Sequence, residues 1–407
     1  MDACLAGRGL RFAALMVGDI ERTAKARAMA DRAKRWMLDE AFPFWADRSP
    51  DPEGGFYEKL DLDGRGINGV DSRVRLQARM VFTFALAADL GWDRSRSMEL
   101  VQRGIATLTS QCRRPDGLYG RMVRTGKGLV DDAAETYDSA FALLAFSTAS
   151  KIFDLKSAND AAAKLSAAID RELGHADGGY RERLPAPEIR EQNPHMHLTE
   201  ASLAWHEAGK DGKALDRAER TISFLRTRFF DGNSGLLLEF SGGPSAENRV
   251  EAGHLFEWVW ILGRLRQLTG HAPEDFAATL HDGAMRLLEG LDYLPLSQNC
   301  DGSVREAKQR TWGPAEKLKA HIALWRMQRS GAPSDTPPDA LADLVIETAQ
   351  AMFADHIDGA LPGAWIDEIA PDGTSLAQYI TPATGYHIFL ACKELIDFAD
   401  ELEQGAA

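Results

Sequence analysis

Cysteine is scarce in this chain. Its four cysteines among 407 residues, Cys4, Cys112, Cys300 and Cys392, stand far apart, with no Cys-x-x-Cys and no histidine at metal spacing. That excludes a disulfide framework and a cysteine-built zinc site, and reads as the reduced thiols of a cytoplasmic protein. Positive charge is also short: 47 lysines and arginines face 61 acids, a formal net charge of −14. Non-specific binding of phosphates needs a basic face, so no nucleic-acid partner is expected. No run approaches the roughly 18 apolar residues of a membrane helix, so no membrane partner is expected either. Residues 11–18 faintly resemble the apolar core of a signal peptide. Asp2, however, stands where a basic segment would be needed, and Asp19 and Glu21 follow at once. Residues 1–20 therefore read as an N-terminal extension, and 21–405 as one domain.

The signatures of nucleotide and acyl chemistry are missing too. The stretch from Gly120 to Lys127 has five residues between its glycines, and Gly128 follows where a P-loop needs Ser or Thr. There is no Gly-x-Ser-x-Gly, and Gly64-Arg-Gly66 is a turn with no Rossmann unit behind it. No cofactor is expected.

What is present is a repeat. Gly-centred turn signals recur at Gly54, Gly117, Gly178, Gly235, Gly302 and Gly359, at intervals of 63, 61, 57, 67 and 57 residues. Asp-Gly beside aromatic and β-branched residues favours a tight turn next to short strands. Between the signals the apolar period is helical. One set of stretches starts near residues 71, 133, 194, 251, 311 and 382 and is apolar almost all round, as expected of helices buried between two layers. A second set, near 22–40, 95–112, 157–173, 213–230, 274–292 and 337–355, carries one apolar stripe on a charged helix. Six units of outer helix, hairpin and inner helix predict an all-α (α/α)6 barrel with short β-hairpins in its connecting loops. A doubly wound sheet would require βαβ alternation, which is absent. The alternative is two helical bundles joined at the polar break near residue 210.

The register places the chemical residues. His197 follows Gly178 by 19 residues and His254 follows Gly235 by 19, while Arg79, Trp312 and His387 follow their own signals by 25, 10 and 28. All five fall in the early turns of inner helices, so they should open on one end of the barrel as a small-molecule site. His197-Leu-Thr-Glu200 and His254-Leu-Phe-Glu257 each set His and Glu on one helix face. A carboxylate so placed can orient an imidazole and raise its basicity. A single such pair would more simply be a surface or capping contact; two in register favour function. His195 and His197, at i and i+2, point about 200° apart on a helix and cannot share a metal ion there. His195 is read as structural, and no metal is expected.

Six segments, in order, resemble the N-acylglucosamine 2-epimerase superfamily, which includes mannose isomerases, a sulfoquinovose isomerase and cellobiose 2-epimerases. They are Arg73–Arg79, Tyr137–Phe141, Asn193–Glu200, Glu251–Trp258, Arg310–Glu316 and Pro382–His387, spanning nearly the whole domain. The resemblance implies an (α/α)6 barrel with His254 and His387 as the acid–base pair. It also implies that Arg79, Asn193, His197, Glu200, Glu257 and Glu316 bind and orient a sugar, with Tyr137 and Trp312 lining the pocket. Ser139 stands where many members carry His, and Thr384-Gly385 precede Tyr386-His387 where disaccharide epimerases tend to carry Trp. The second departure favours a monosaccharide. The expected enzyme is an aldose–ketose isomerase interconverting mannose, or a close relative, with fructose through a cis-enediol, acting as a monomer or homodimer. The alternatives are a sugar 2-epimerase, an inverting glycoside hydrolase that uses Glu257 and Glu316, and a catalytically silent sugar binder.

Overall fold

The computed structural model describes residues 2–209, 211–332 and 336–406, with side chains from residue 18 onward except 274 and 406. Six inner helices form a closed ring in chain order: α3 (Val74–Asp89), α5 (Thr136–Phe153), α7 (Gln192–Gly209), α9 (Ala252–Thr269), α11 (Trp312–Arg329) and α13 (Gly385–Ala406). Each packs on the next, and α13 returns to α3. The outer layer is α1 (Asp2–Arg35), α4 (Arg94–Thr107), α6 (Lys156–Ala168), α8 (Gly212–Arg228), α10 (Glu274–Leu287) and α12 (Pro338–His356). The short α2 (Phe42–Arg48) follows α1. This is the (α/α)6 barrel, and the all-α expectation holds.

The sequence explains the two layers. In α3 every residue from Leu76 to Ala88 is buried, because this helix meets neighbours on both sides. In α8 only a stripe is buried, including Ala214, Ala218, Ile222 and Leu225, at the spacing of one helix face. Asp93 and Asp211 start α4 and α8 by accepting from backbone N–H groups of the first turn, Asp93 from Arg96 and Asp211 from Lys213 and Ala214.

One detail of the repeat differs from the sequence reading. Each outer helix packs chiefly on the inner helix before it, α4 on α3 and α6 on α5, while α1 packs on α13 at the other end of the chain. The tight partners are joined by short turns, such as Leu90–Asp93 between α3 and α4. All the long connections therefore leave at the opposite end, where the inner helices begin. They carry two-to-four-residue antiparallel strands, for example Met122–Arg124 with Gly128–Asp131, and some tie neighbouring repeats together, as Ala134–Glu135 does with Arg183–Leu184. A backbone pair between Leu60 and Ile380 joins the first repeat to the last and closes that rim. Five of the six signal glycines take a left-handed φ; at Gly359 the backbone does not, and Gly363 takes it instead.

The two-bundle alternative is excluded. The break falls between the end of α7 at Gly209 and the start of α8 at Gly212; residue 210 itself lies outside the described residues, but α7 and α8 pack on each other and the inner ring runs on from α7 to α9. Of the segment read as an extension, residues 2–20 belong to α1; residue 1 and the side chains of residues 1–17 lie outside those described.

Candidate active site

Because the inner helices all start at the hairpin end, their first turns meet on the barrel axis. The structure brings together all ten side chains expected there. Arg79 donates from Nη2 to the Tyr137 hydroxyl at 3.0 Å, and the Tyr137 ring stands edge-on to His197, centroids 4.7 Å apart. His197 Nδ1 lies 3.6 Å from Glu200 and 3.7 Å from Glu257. Glu257 meets Glu316 and His387 in one cluster whose carboxylate and ring atoms lie within 4.8 Å. Trp312 contacts both proposed catalytic histidines, stacked on His254 at 5.1 Å with 29° between the rings and tilted against His387 at 5.9 Å. Asn193 completes the set, 3.3 Å from His254 Nε2. The close approach of Trp312 depends on Gly253, where a Cβ would sit 2.4 Å from the indole ring.

The carboxylate partners differ from the sequence expectation. Glu257 does not orient His254. The carboxylates within ion-pair distance of His254 Nδ1 are Glu239, at 2.8 Å, and Glu251, at 3.6 Å. Glu239 sits on the hairpin after Gly235, and Gln192 braces it: Trp258 donates to Gln192 Oε1, which turns the Gln192 amide to donate to Glu239 at 2.9 Å. The only hint of this in the sequence was an acid closing the apolar run Leu236-Leu-Leu-Glu239. His387 has its own carboxylate, with Nδ1 2.6 Å from Glu316 Oε1. Tyr386 donates to Glu200, and Lys319 Nζ lies 2.8 Å from Glu316 Oε2; neither had been assigned a role. His195 is structural, as expected. It is fully buried, with Nδ1 on the Glu191 carbonyl and Nε2 accepting from the Tyr180 N–H.

These partners set the two histidines in opposite charge states. Burial works against a charged His254, but Glu239 and Glu251 outweigh it and raise its pKa to about 10. His254 is therefore an imidazolium at neutral pH: Nδ1–H donates to Glu239 and Nε2–H faces the site. The Asn193 amide beside it can turn its unpartnered oxygen toward that proton. For His387, burial and the nearby cations Arg79 and Lys319 hold the pKa well below the usual range. It is a neutral imidazole with a lone pair on one nitrogen. His197 is likewise neutral, lowered to about 4 chiefly by burial. Glu257, fully buried with neither oxygen hydrogen-bonded, is pushed well up by burial and the adjacent Glu316. As a neutral acid it can donate to a sugar oxygen.

His197 with Glu200 and Glu257, Glu239 and Glu251 with His254, and Glu257 and Glu316 with His387 have the donor atoms a cation would use. In the second and third groups, however, the histidine Nδ1 is already committed to a carboxylate. The chemistry the arrangement offers directly is proton transfer, with one imidazole base, one imidazolium acid and an arginine for developing negative charge.

Comparison with known proteins agrees with this class. The profile of the N-acylglucosamine 2-epimerase (GlcNAc 2-epimerase) family matches residues 55–391, and the chain belongs to that family. A mannose-6-phosphate isomerase of Rhizobium meliloti (strain 1021) is 30% identical over 382 residues, 89% of this chain and 95% of that protein. A D-mannose isomerase of Marinomonas mediterranea is 26% identical, covering 88% of this chain and 95% of its own length. Among solved structures, the cellobiose 2-epimerase of Spirochaeta thermophila superposes with a TM-score of 0.82 at 22% identity, over 93% of this chain and 98% of that one. The protein is an enzyme of the sugar isomerase and epimerase type.

Proposed function

We propose that the enzyme interconverts mannose, or a close relative, with fructose through a cis-enediol(ate). The observation that carries this reading is that His254 and His387 both contact the Trp312 ring, the first held as a cation by Glu239 and Glu251 and the second neutral. His387 takes the C2 proton of the open-chain aldose, and Arg79 stabilises the negative charge developing at O1 or O2. His254 gives a proton to O1 as the enediol forms and takes the O2 proton back as the C2 carbonyl forms, so that it ends as the imidazolium. Return of the carbon-bound proton to C1 gives the ketose. Asn193, His197, Glu200 and Glu257 hold the hydroxyls, Glu316 holds Nδ1 of His387 rather than the sugar, and Tyr137 and Trp312 line the walls. The two similar curated proteins named as mannose-converting isomerases support this outcome.

The same pair serves a 2-epimerase if the proton returns to the opposite face of C2, and the family description keeps that reading in view. An inverting hydrolase is disfavoured. Carboxylate oxygens of Glu257 and Glu316 come within 4.8 Å, whereas that mechanism separates its carboxyls by about 6.5–9.5 Å to admit water.

Domain limits of 21–405, a monomeric or homodimeric state, a cytoplasmic location, and turnover without metal, cofactor or nucleic acid belong to the same proposal. The net charge of −14 argues against a nucleic-acid partner, and among the described residues no helix is long and apolar enough to cross a membrane. The test is turnover of mannose in heavy water, followed by NMR. Solvent deuterium at C1 of fructose supports the isomerase, and deuterium at C2 of an inverted aldose supports the epimerase. A product free of solvent deuterium would refute enediol chemistry.

A further inference from the structure

Lys319 is fully buried on the inner helix α11, one turn beyond Glu316. A lysine in such a place is costly unless it is paired, and its pairing is specific. Nζ lies 2.8 Å from Glu316 Oε2 and 3.9 Å from the centre of the Trp260 ring. The other oxygen of Glu316 lies 2.6 Å from His387 Nδ1. The three side chains form a line from ammonium to carboxylate to imidazole, on the side of His387 away from its free nitrogen.

The Glu316–His387 contact can exist in two forms. In one, the carboxylate accepts from Nδ1–H and Nε2 keeps its lone pair. In the other, which holds one proton more, the carboxylic acid donates to Nδ1 and the imidazole proton sits on Nε2. Only the first form is a base toward the substrate. A fixed positive charge beside the outer oxygen favours the carboxylate and hence the first form. We propose that Lys319 is a positioning residue that holds Glu316 as a carboxylate and so keeps the His387 proton on Nδ1. This rests on reading His387 as the base.

The other groups around the pair are known. Arg79 on α3 also opposes extra protons, while His197 and Glu200 on α7, His254 and Glu257 on α9, and Tyr386 on α13 complete the shell. Burial raises Glu316, and Lys319 is the largest influence holding it down. Lys319 itself is raised despite burial, by Glu316 first and then by Glu257 and Glu200, and is a fixed cation.

The experiment compares K319M and K319R with the wild-type enzyme in two ways: the pH dependence of mannose turnover, and 15N NMR of histidine-labelled protein. Removing a unit charge about 6 Å from the shared proton, at an effective dielectric near 20, should move the acid limb of kcat/KM up by about 2 pH units. At pH values below the shifted limb, kcat for K319M should fall by roughly 10–100-fold relative to the wild type at the same pH while KM stays within about threefold, and activity should return as pH rises. K319R should restore most of the wild-type profile. In the wild-type spectrum His387 must show a protonated Nδ1 and a bare Nε2, and in K319M Nε2 should gain a proton. An unshifted acid limb in folded K319M overturns the proposal. So does a wild-type spectrum with the proton on Nε2, which decides the matter even if K319M does not fold. Full activity in H387A would defeat the reading of His387 as the base, while the tautomer measurement would still decide what Lys319 does.

Discussion

Glu239 offers the sharpest perturbation, because a single oxygen separates an imidazolium from an imidazole at His254. The contact is 2.8 Å, buried, and braced by Gln192. Glu239→Gln keeps the shape and removes the charge. A unit charge about 4 Å away contributes about 4 kcal/mol at an effective dielectric near 20, or roughly 3 pH units. Glu251, at 3.6 Å, remains and retains part of the field. His254 should therefore fall from about 10 toward its ordinary 6.5. The basic limb of kcat/KM, where the acid is lost, should move down by about 2–3 pH units. At mildly alkaline pH kcat should drop by about 10²-fold and recover on acidification. Stability follows the same linkage. A pKa raised on folding stabilises the native state fully below the unfolded value, near 6.5, and that contribution fades as pH rises to about 10. The loss of thermal stability in Glu239→Gln should thus be largest below about pH 6 and shrink toward pH 10. Stopped assays across pH, paired with calorimetry, check both. A variant with the wild-type basic limb and a pH-independent stability loss would refute the charge assignment of His254.

The remaining predictions are simpler. His254→Ala and His387→Ala should each lower kcat by about 10²–10⁴-fold with the far-ultraviolet circular dichroism unchanged, because each removes an acid–base group at an open barrel mouth; near wild-type rates in both would end the mechanism. Gly253→Ala puts a methyl 2.4 Å from Trp312, so the indole must move off His254; kcat should fall more than stability, as measured by steady-state kinetics beside thermal melts. Phe256→Ala, at a fully buried inner-layer position, should cost about 3–5 kcal/mol in denaturant unfolding and leave KM unchanged if the protein is assayed cold. Exhaustive chelation should leave turnover intact; activity lost to chelation and restored by one divalent ion would make a metal-assisted hydride shift the better mechanism.

The sequence by itself determined the barrel. A turn signal every 57–67 residues, with helices of alternating burial between, leaves few packings except two concentric layers. The helical period and the turn chemistry are local, so they are readable from local residue order. Residue positions relative to those signals also foretold that Arg79, His197, His254, Trp312 and His387 meet, because register along a helix fixes which end of the barrel a residue occupies. Which carboxylate serves which imidazole was decided only in three dimensions. Glu257 follows His254 by three residues, yet Glu239, which reaches it from a hairpin, holds its Nδ1. Glu316 on α11 holds His387 on α13, and Lys319 reads in sequence as one more charged residue on a helix. A hydrogen bond needs side-chain atoms at the right distance and angle, and both depend on how separate elements pack. Charge state depends further on burial and on every neighbouring charge, and so the two histidines, which the sequence resemblance names only as an acid–base pair, emerge as one acid and one base.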